Sequence, residues 1–282
     1  MSSSGWDDKW LSQLQSPRRN RYFDGKLMDE DSFTMEQQYT LAEHRLLNRL
    51  VLGPGVICGL GVSPIQSESN HGLRISAGLA IDGWGRRIVV PEDVDLCPVE
   101  VTDDERDGQP AKRDALPENL VVSLCYRERQ ADFTTAVLPD PVRDSTAGGE
   151  AATWVESYAV RVRAGTADDI AHPGEPELNA MLQEGRLHDA LCALTAATAA
   201  LPDDPSLVLA NVTASPDGSF SVTECAPRPV VPTNQVLLQL IACLAARVQE
   251  CCDGSRDPLL GGKGLRKGHG HGGHRDHGQG NH

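Results

Sequence analysis

Four histidines, His269, His271, His274 and His277, stand close together in a glycine-rich stretch near one end of this 282-residue chain. Neutral imidazoles ligate Zn, Ni and Cu, and glycines between them let several converge on one ion. No closed four-ligand spacing surrounds them, and ordering so flexible a segment costs conformational entropy. The stretch from residue 254 is therefore expected to be a disordered tail that takes up Zn, Ni or Cu adventitiously, and no dedicated cofactor is expected. Other residue types capable of chemistry are spread more thinly. Asp103 and Asp104, Asp168 and Asp169, and Asp203 and Asp204 are paired acids, but each pair lies in a polar, turn-like segment with no apolar wall to raise a carboxyl pKa. Solvated surface outweighs catalysis for all three.

The eight cysteines contain no CxxC pair, so reduced, buried thiols are expected. Cys251 and Cys252, with Cys243 two turns earlier, are read as filling a helix interface ahead of ligating a metal or cross-linking a neighbour. His44 and His188 fall on expected helices, at the surface or core edge. Asn211-Val-Thr213 has the glycosylation pattern but falls in an expected strand. A phosphate-binding GxxxxGK[ST] loop, HExxH, GxSxG and a strand-linked GxGxxG are all missing. No catalytic residue is singled out, and the chain is read as non-enzymatic.

The elements that would position such residues follow from periodicity. Met35, Tyr39, Ala42, Leu46 and Leu50 repeat at helical spacing, predicting an amphipathic helix over residues 31–50, capped by Asp31 or Ser32 and stopped by Gly53-Pro54. Ahead of it, residues 20–27 form a short strand or extended arm with an Asp-Gly turn, its Tyr22 and Phe23 packing on the helix. Strands are expected over 56–62 and 72–81. The turn Asp82-Gly83-Trp84-Gly85 then leads back into a strand over 86–90. Residues 101–118 read as a charged solvated loop, 120–126 and 154–162 as strands, and 139–152 as a loop between them. A helical insertion spans 177–200 with a break at Gly185, and a hairpin follows over 207–223 through Ser215-Pro-Asp-Gly218. The last helix is capped by Thr233 and buries Leu237, Leu240, Ile241, Leu244 and Val248 as it packs back on the sheet.

The expected fold is α+β: a mostly antiparallel β body with an N-terminal amphipathic helix, a helical insertion and a C-terminal helix. It divides into an arm over 1–19, a helix and hairpin contact module over 20–100, the charged loop over 101–118, the β body over 119–253 and the tail over 254–282. Composition narrows the partners. Forty acidic against 26 basic residues give a formal net charge of -14, which repels nucleic acid and anionic lipid. The N-terminal residues carry no secretory pattern, and the longest apolar run is too short to span a bilayer, so a cytoplasmic protein is expected.

Five segments share a recognisable pattern: Arg21-Tyr-Phe-Asp-Gly-Lys-Leu-Met28, Glu36-Gln-Gln-Tyr39, Arg45-Leu-Leu-Asn-Arg49, Gly53-Pro-Gly-Val-Ile-Cys-Gly-Leu60 and Gly78-Leu-Ala-Ile-Asp-Gly-Trp-Gly-Arg86. The chain resembles a family of uncharacterised proteins encoded with phage-tail-like contractile injection systems. The resemblance is strong from Arg21 to Val90 and looser through the later strands and last helix. It departs at Ala77, where a proline is common, in the acidic stretch over 101–117 and in the histidine-rich tail. It implies a structural or assembly component of the particle, at the baseplate or fibre attachment, with sheath, baseplate or fibre proteins as partners. The chain is expected to form homo-oligomers and to sit in the cytoplasm within an assembled or released particle.

On this reading Tyr22, Phe23, Asp24, Gly25, Lys26, Leu27, Asn48 and Arg49 contact a partner, and Gly78, Asp82, Gly85 and Arg86 shape a turn at the rim. Two arrangements of the arm stay open: docking on a neighbour by strand addition or groove filling, or covering the Met35 to Leu50 stripe of its own chain. The competing function is a free ligand- or carbohydrate-binding β-domain with a metal-responsive tail.

Overall fold

Between positions 55 and 90 small and apolar residues make short strands, but two points stop the chain from running straight. β1 (Gly55–Gly59) and β2 (Val62–Gln66) separate at Leu60 and Gly61, and β3 (His71–Ile75) and β4 (Gly78–Ile81) separate at Ser76 and Ala77. β1 pairs antiparallel with β4, and β2 with β3. One ribbon thus turns a corner, and its two halves enter different sheets. The single strands expected over 56–62 and 72–81 are each divided by it. At the corner Gly59 and Leu60 have φ of 64° and 58°, and a Cβ on Gly59 would lie 1.9 Å from the Ala77 carbonyl oxygen.

The computed structural model describes residues 8–66, 71–102, 116–134, 150–170, 180–181, 183–195 and 200–254. The chain divides into two units, Met1–Val231 and Pro232–His282. In the first, β5 (Arg87–Val90) returns along β4 through the expected turn, giving the order β1-β4-β5. β6 (Val94–Leu96), too short for periodicity to reveal, completes the order β2-β3-β6. The third sheet, β10-β9-β7-β8, joins β7 (Asn119–Thr134), β8 (Glu150–Ala164), β9 (Leu207–Ala214) and β10 (Phe220–Thr223). β7 is covered on both faces from Leu120 to Tyr126, which is why that run is apolar without alternation. Beyond it β7 and β8 continue as a ribbon to the pair Thr134 and Glu150. Backbone pairing extends there past the buried residues, so both strands outrun their expected limits and the loop placed over 139–152 ends before Glu150.

Leu60, Leu73, Ile75, Ile88, Leu120, Leu124, Leu209 and Val212 belong to one hydrophobic core. Val99 and Val101 join it, and the Thr102 amide donates to the Val162 carbonyl at 2.8 Å. The stretch expected as a charged loop from residue 101 therefore begins inside the core, and residues 103–115 lie outside the described ones.

After α1 (Asp8–Leu11), α2 (Glu30–Leu47) runs into a π turn, Asn48–Leu52, that ends at Gly53. The cap is Asp29, not Asp31 or Ser32. Its carboxylate accepts from the Ser32 amide at 2.9 Å and leaves Glu30 and Asp31 in the first turn, where the helix dipole favours negative charge. In the helical insertion, Gly185 takes φ 75° and breaks the chain before α3 (Leu187–Thr195). The second unit contains α4 (Asn234–Gly254), whose Thr233 cap accepts from the Val236 amide at 3.3 Å. Its stripe of Leu237, Leu240, Ile241, Leu244 and Val248, expected to be buried, is exposed, because this helix is almost all of the described structure of its unit. The architecture is α+β, antiparallel sheets preceded, interrupted and followed by helices. Among the described residues no helix is long and apolar enough to cross a membrane.

Candidate interaction site

Pro17 and the polar run around it keep residues 13–29 out of helix and strand, and two anchors shape this arm. At its root the Asn20 side-chain amide donates to the Ser32 carbonyl at 3.2 Å, and the Asn20 carbonyl oxygen accepts from the Lys26 ammonium. At its tip the Lys26 amide donates to the Phe23 carbonyl at 3.1 Å, closing the Asp24-Gly25 turn with Gly25 at φ 79°. The loop between these anchors carries its apolar side chains outward. Tyr22 is 60% exposed, Phe23 64% and Leu27 80%, and the Lys26 ammonium sits 5.7 Å from the Tyr22 ring centroid.

The two aromatics therefore do not cover the helix stripe as expected. Met35, Tyr39, Ala42 and Leu46 instead line a groove of about 470 Å³ whose opposite wall includes Pro17 and Arg18. On α2 and its π turn, Phe33, Leu47, Val51 and Leu52 are also exposed, while the deepest burial goes to Ser32, Arg45 and Arg49. The arm is locally basic. Residues 17–27 hold Arg18, Arg19, Arg21 and Lys26 against one acid, Asp24, in a chain of net charge -14. Counting charge over the whole sequence hides this local reversal of sign.

Asn48 and Arg49, expected beside the arm in a partner contact, are engaged within their own chain. The Asn48 amide donates to the Gly85 carbonyl at 2.9 Å, and buried Arg49 donates to the Ser12 carbonyl at 2.9 Å. The expected rim residues are likewise interior. Asp82 is wholly buried; its carboxylate accepts from the Trp84 and Arg86 amides, both at 2.9 Å, and from Arg86 Nε at 2.7 Å. Burial pushes the Asp82 carboxyl above its ordinary range, against the opposing pull of Arg86. The Arg86 guanidinium lies 4.6 Å from the ring centroids of both Trp84 and Tyr126. Trp84 Nε1 donates to the Pro202 carbonyl at 2.9 Å. Gly78 and Gly85 are needed for close approach: an added Cβ would come within 2.3 Å of the Cys58 oxygen and 2.1 Å of the Arg45 oxygen respectively. This turn ties α2 to the sheets.

Sequence reasoning missed Arg228, which holds the corner of the ribbon. It donates to the Leu60 and Leu209 carbonyls, each at 2.8 Å, and pairs with Glu224 at 3.3 Å, while Glu224 accepts from the Val62 amide. Of the paired acids, Asp203 meets Lys9 at 3.0 Å and Asp204 meets Arg161 and Arg163 at 3.4 Å. Burial would raise the Asp204 carboxyl, but the Ser206 donors and both arginines outweigh it and hold it low, the reverse of what a general acid requires. Asp168 and Asp169 are exposed, and Asp103 and Asp104 lie outside the described residues. Cys125 is buried, whereas Cys58, Cys97, Cys192, Cys225 and Cys243 are exposed, so among the described cysteines a buried thiol is the exception. Most stand on edges or turns that face solvent. The side chains of Cys251 and Cys252 are outside the described set.

His44 and His188 are exposed, the latter 3.6 Å from the Cys192 sulfur. Asn211 bonds the Ala167 backbone in both directions, at 2.8 and 2.9 Å, which gives that side chain a structural use. Among the described residues no group of three or more His, Cys, Asp or Glu could hold a metal; His269, His271, His274 and His277 lie outside them. What the first unit presents outward is a basic, aromatic arm whose root walls an apolar groove. Compared with known proteins, the chain matches no protein-family model and no curated protein.

Proposed function

We propose that this chain is a non-enzymatic structural or assembly component of a contractile, phage-tail-like injection particle, seated at the baseplate or fibre attachment and held there by its arm. The observation that carries the docking role is the exposure of Tyr22, Phe23 and Leu27 on a loop anchored at Asn20 and Gly25. Exposed aromatics on an anchored loop lose little conformational entropy on binding and bury large apolar area, the property of interface anchors. The four cations around them suit an acidic neighbour and make attachment sensitive to salt. The particle itself is named by the resemblance of residues 21–90, which include this arm.

The test is to sediment a lysate of the native host, isolate sheathed particles and quantify this chain by peptide mass spectrometry against sheath and tube proteins. A fixed ratio to those proteins is expected. Recovery only in the light soluble fraction overturns the reading and leaves a free ligand-binding domain in its place.

A further inference from the structure

α4 is exposed on all sides over residues 234–249, yet its sequence is written in heptads. Leu237, Ile241, Leu244 and Val248 follow one another at intervals of four, three and four, with β-branched Ile241 and Val248 at one core position and Leu237 and Leu244 at the other. Asn234 stands one heptad before Ile241 at the first of these positions. In parallel coiled coils, β-branched residues at the first core position with leucine at the second favour two strands, and an asparagine at a single first position specifies register. We infer that α4 is a self-association element: it packs in parallel, in register, against the same helix of further copies of this chain.

Three observations choose this occupant. Val236, Leu237, Leu238, Leu240, Ile241, Leu244 and Val248 are each 41 to 67% exposed. Leaving aside Val236, which lies on the outer side, the residues that line or flank the seam expose roughly 600 Å², about three quarters of the ~800 Å² per partner of a standard interface. Arg247 is the one charged residue among positions 234–249, so no pattern of flanking charges selects a different helix or repels a copy of itself. A lipid surface fits less well. The polar positions Asn234, Gln235, Gln239 and Gln249 are uncharged, where helices that lie on anionic membranes carry Lys and Arg, and the chain as a whole has net charge -14. Leu238 and Leu240 flank the seam with further apolar surface for the facing copy to cover. This inference does not depend on the particle reading.

The full chain, 30.4 kDa, is examined by sedimentation velocity and light scattering at micromolar concentration. A mass of two or more chains is expected. The double substitution Ile241→Lys and Leu244→Lys is expected to weaken association more than about a hundredfold, giving single chains whose near-ultraviolet spectrum still reports the folded first unit. Leu244→Cys, at the seam, is expected to form a disulfide joining that position to itself in a second copy at least about tenfold faster than Gln239→Cys on the outer side. The linked peptides are identified by mass spectrometry. A wild-type chain that stays monomeric overturns the inference, as does a multimer indifferent to the double substitution. Equal cross-linking at the two positions overturns the parallel seam.

Discussion

The side-chain amide of Asn48 donates to the backbone carbonyl of Gly85 at 2.9 Å, tying the end of α2 to the tip of the β4–β5 turn. The contact works in both directions along the chain, because Gly85 in turn lies so close to the Arg45 carbonyl that only hydrogen fits at its Cα. Helix and turn are thus registered by backbone approach, with the buried Asp82 and Arg86 pair beneath them. An anchored α2 is what lets the arm ahead of it stand out from the body.

Gly85→Ala meets two obstacles at once, a φ of 82° and a Cβ placed 2.1 Å from a carbonyl oxygen. The expected loss of stability is about 3 kcal/mol or more. Asn48→Ala removes one hydrogen bond and leaves the Gly85 carbonyl unpaired by that donor, for about 1–2 kcal/mol. Urea unfolding of the two variants checks the order, and a Gly85→Ala protein as stable as the parent contradicts the close approach.

Tyr126 is one of the groups that set the response to alkali. Burial, then the hydrogen bond to Glu128 at 2.6 Å and the nearby negative charges, raise its phenol far above the ordinary value. The unfolded chain ionises this group at about pH 10 while the folded one does not. Its contribution is therefore complete below pH 10 and is lost as pH rises beyond it, at up to about 1.4 kcal/mol per pH unit. Unfolding free energies measured across that range should fall more steeply for the parent than for Tyr126→Phe. Parallel curves would show a phenol that titrates freely.

Arg228→Ala is expected to cost about 2–3 kcal/mol, because it removes the ion-pair partner of half-buried Glu224 and the donor to two carbonyls at the corner of the ribbon. Arg228→Lys should recover little. One ammonium cannot reproduce the planar fork that reaches Leu60 and Leu209 together. Thermal unfolding of the pair separates loss of charge, which lysine restores, from loss of the fork, which it does not.

The same corner explains what the sequence could and could not reveal. The turn at Asp82 to Gly85 was legible because its chemistry is local, a carboxylate capping amides two and four residues on. The break at Leu60 was not, since the guanidinium that stabilises it comes from 168 residues away. Periodicity identified α2 and α4 as helices with apolar sides, but it cannot say what covers a side, and for α4 the described structure supplies no cover. Asn48 and Arg49 read as partner contacts in sequence because polar side chains that bind a neighbour and those that tie down their own backbone are the same types at the same spacing. Only the coordinates of Gly85 and Ser12 separate the two uses.

The arm supplies the most direct test of what the first unit is for. Tyr22, Phe23 and Leu27 are largely outside the folded core, so replacing both aromatics by serine should change the unfolding free energy by no more than about 0.5 kcal/mol. If the loop is a docking element, the same change should strip the protein from isolated particles, because truncating interface anchors removes most of the binding energy while leaving the monomer intact. Replacing Arg18, Arg19 and Arg21 by glutamine should act differently, weakening attachment mainly at low salt, where the attraction to an acidic neighbour is least screened. Both variants are assayed by the ratio of this chain to sheath protein in washed particles, at two ionic strengths. A folded double-serine variant that remains bound at the parental ratio would place the attachment elsewhere and return Tyr22 and Phe23 to the role of surface aromatics.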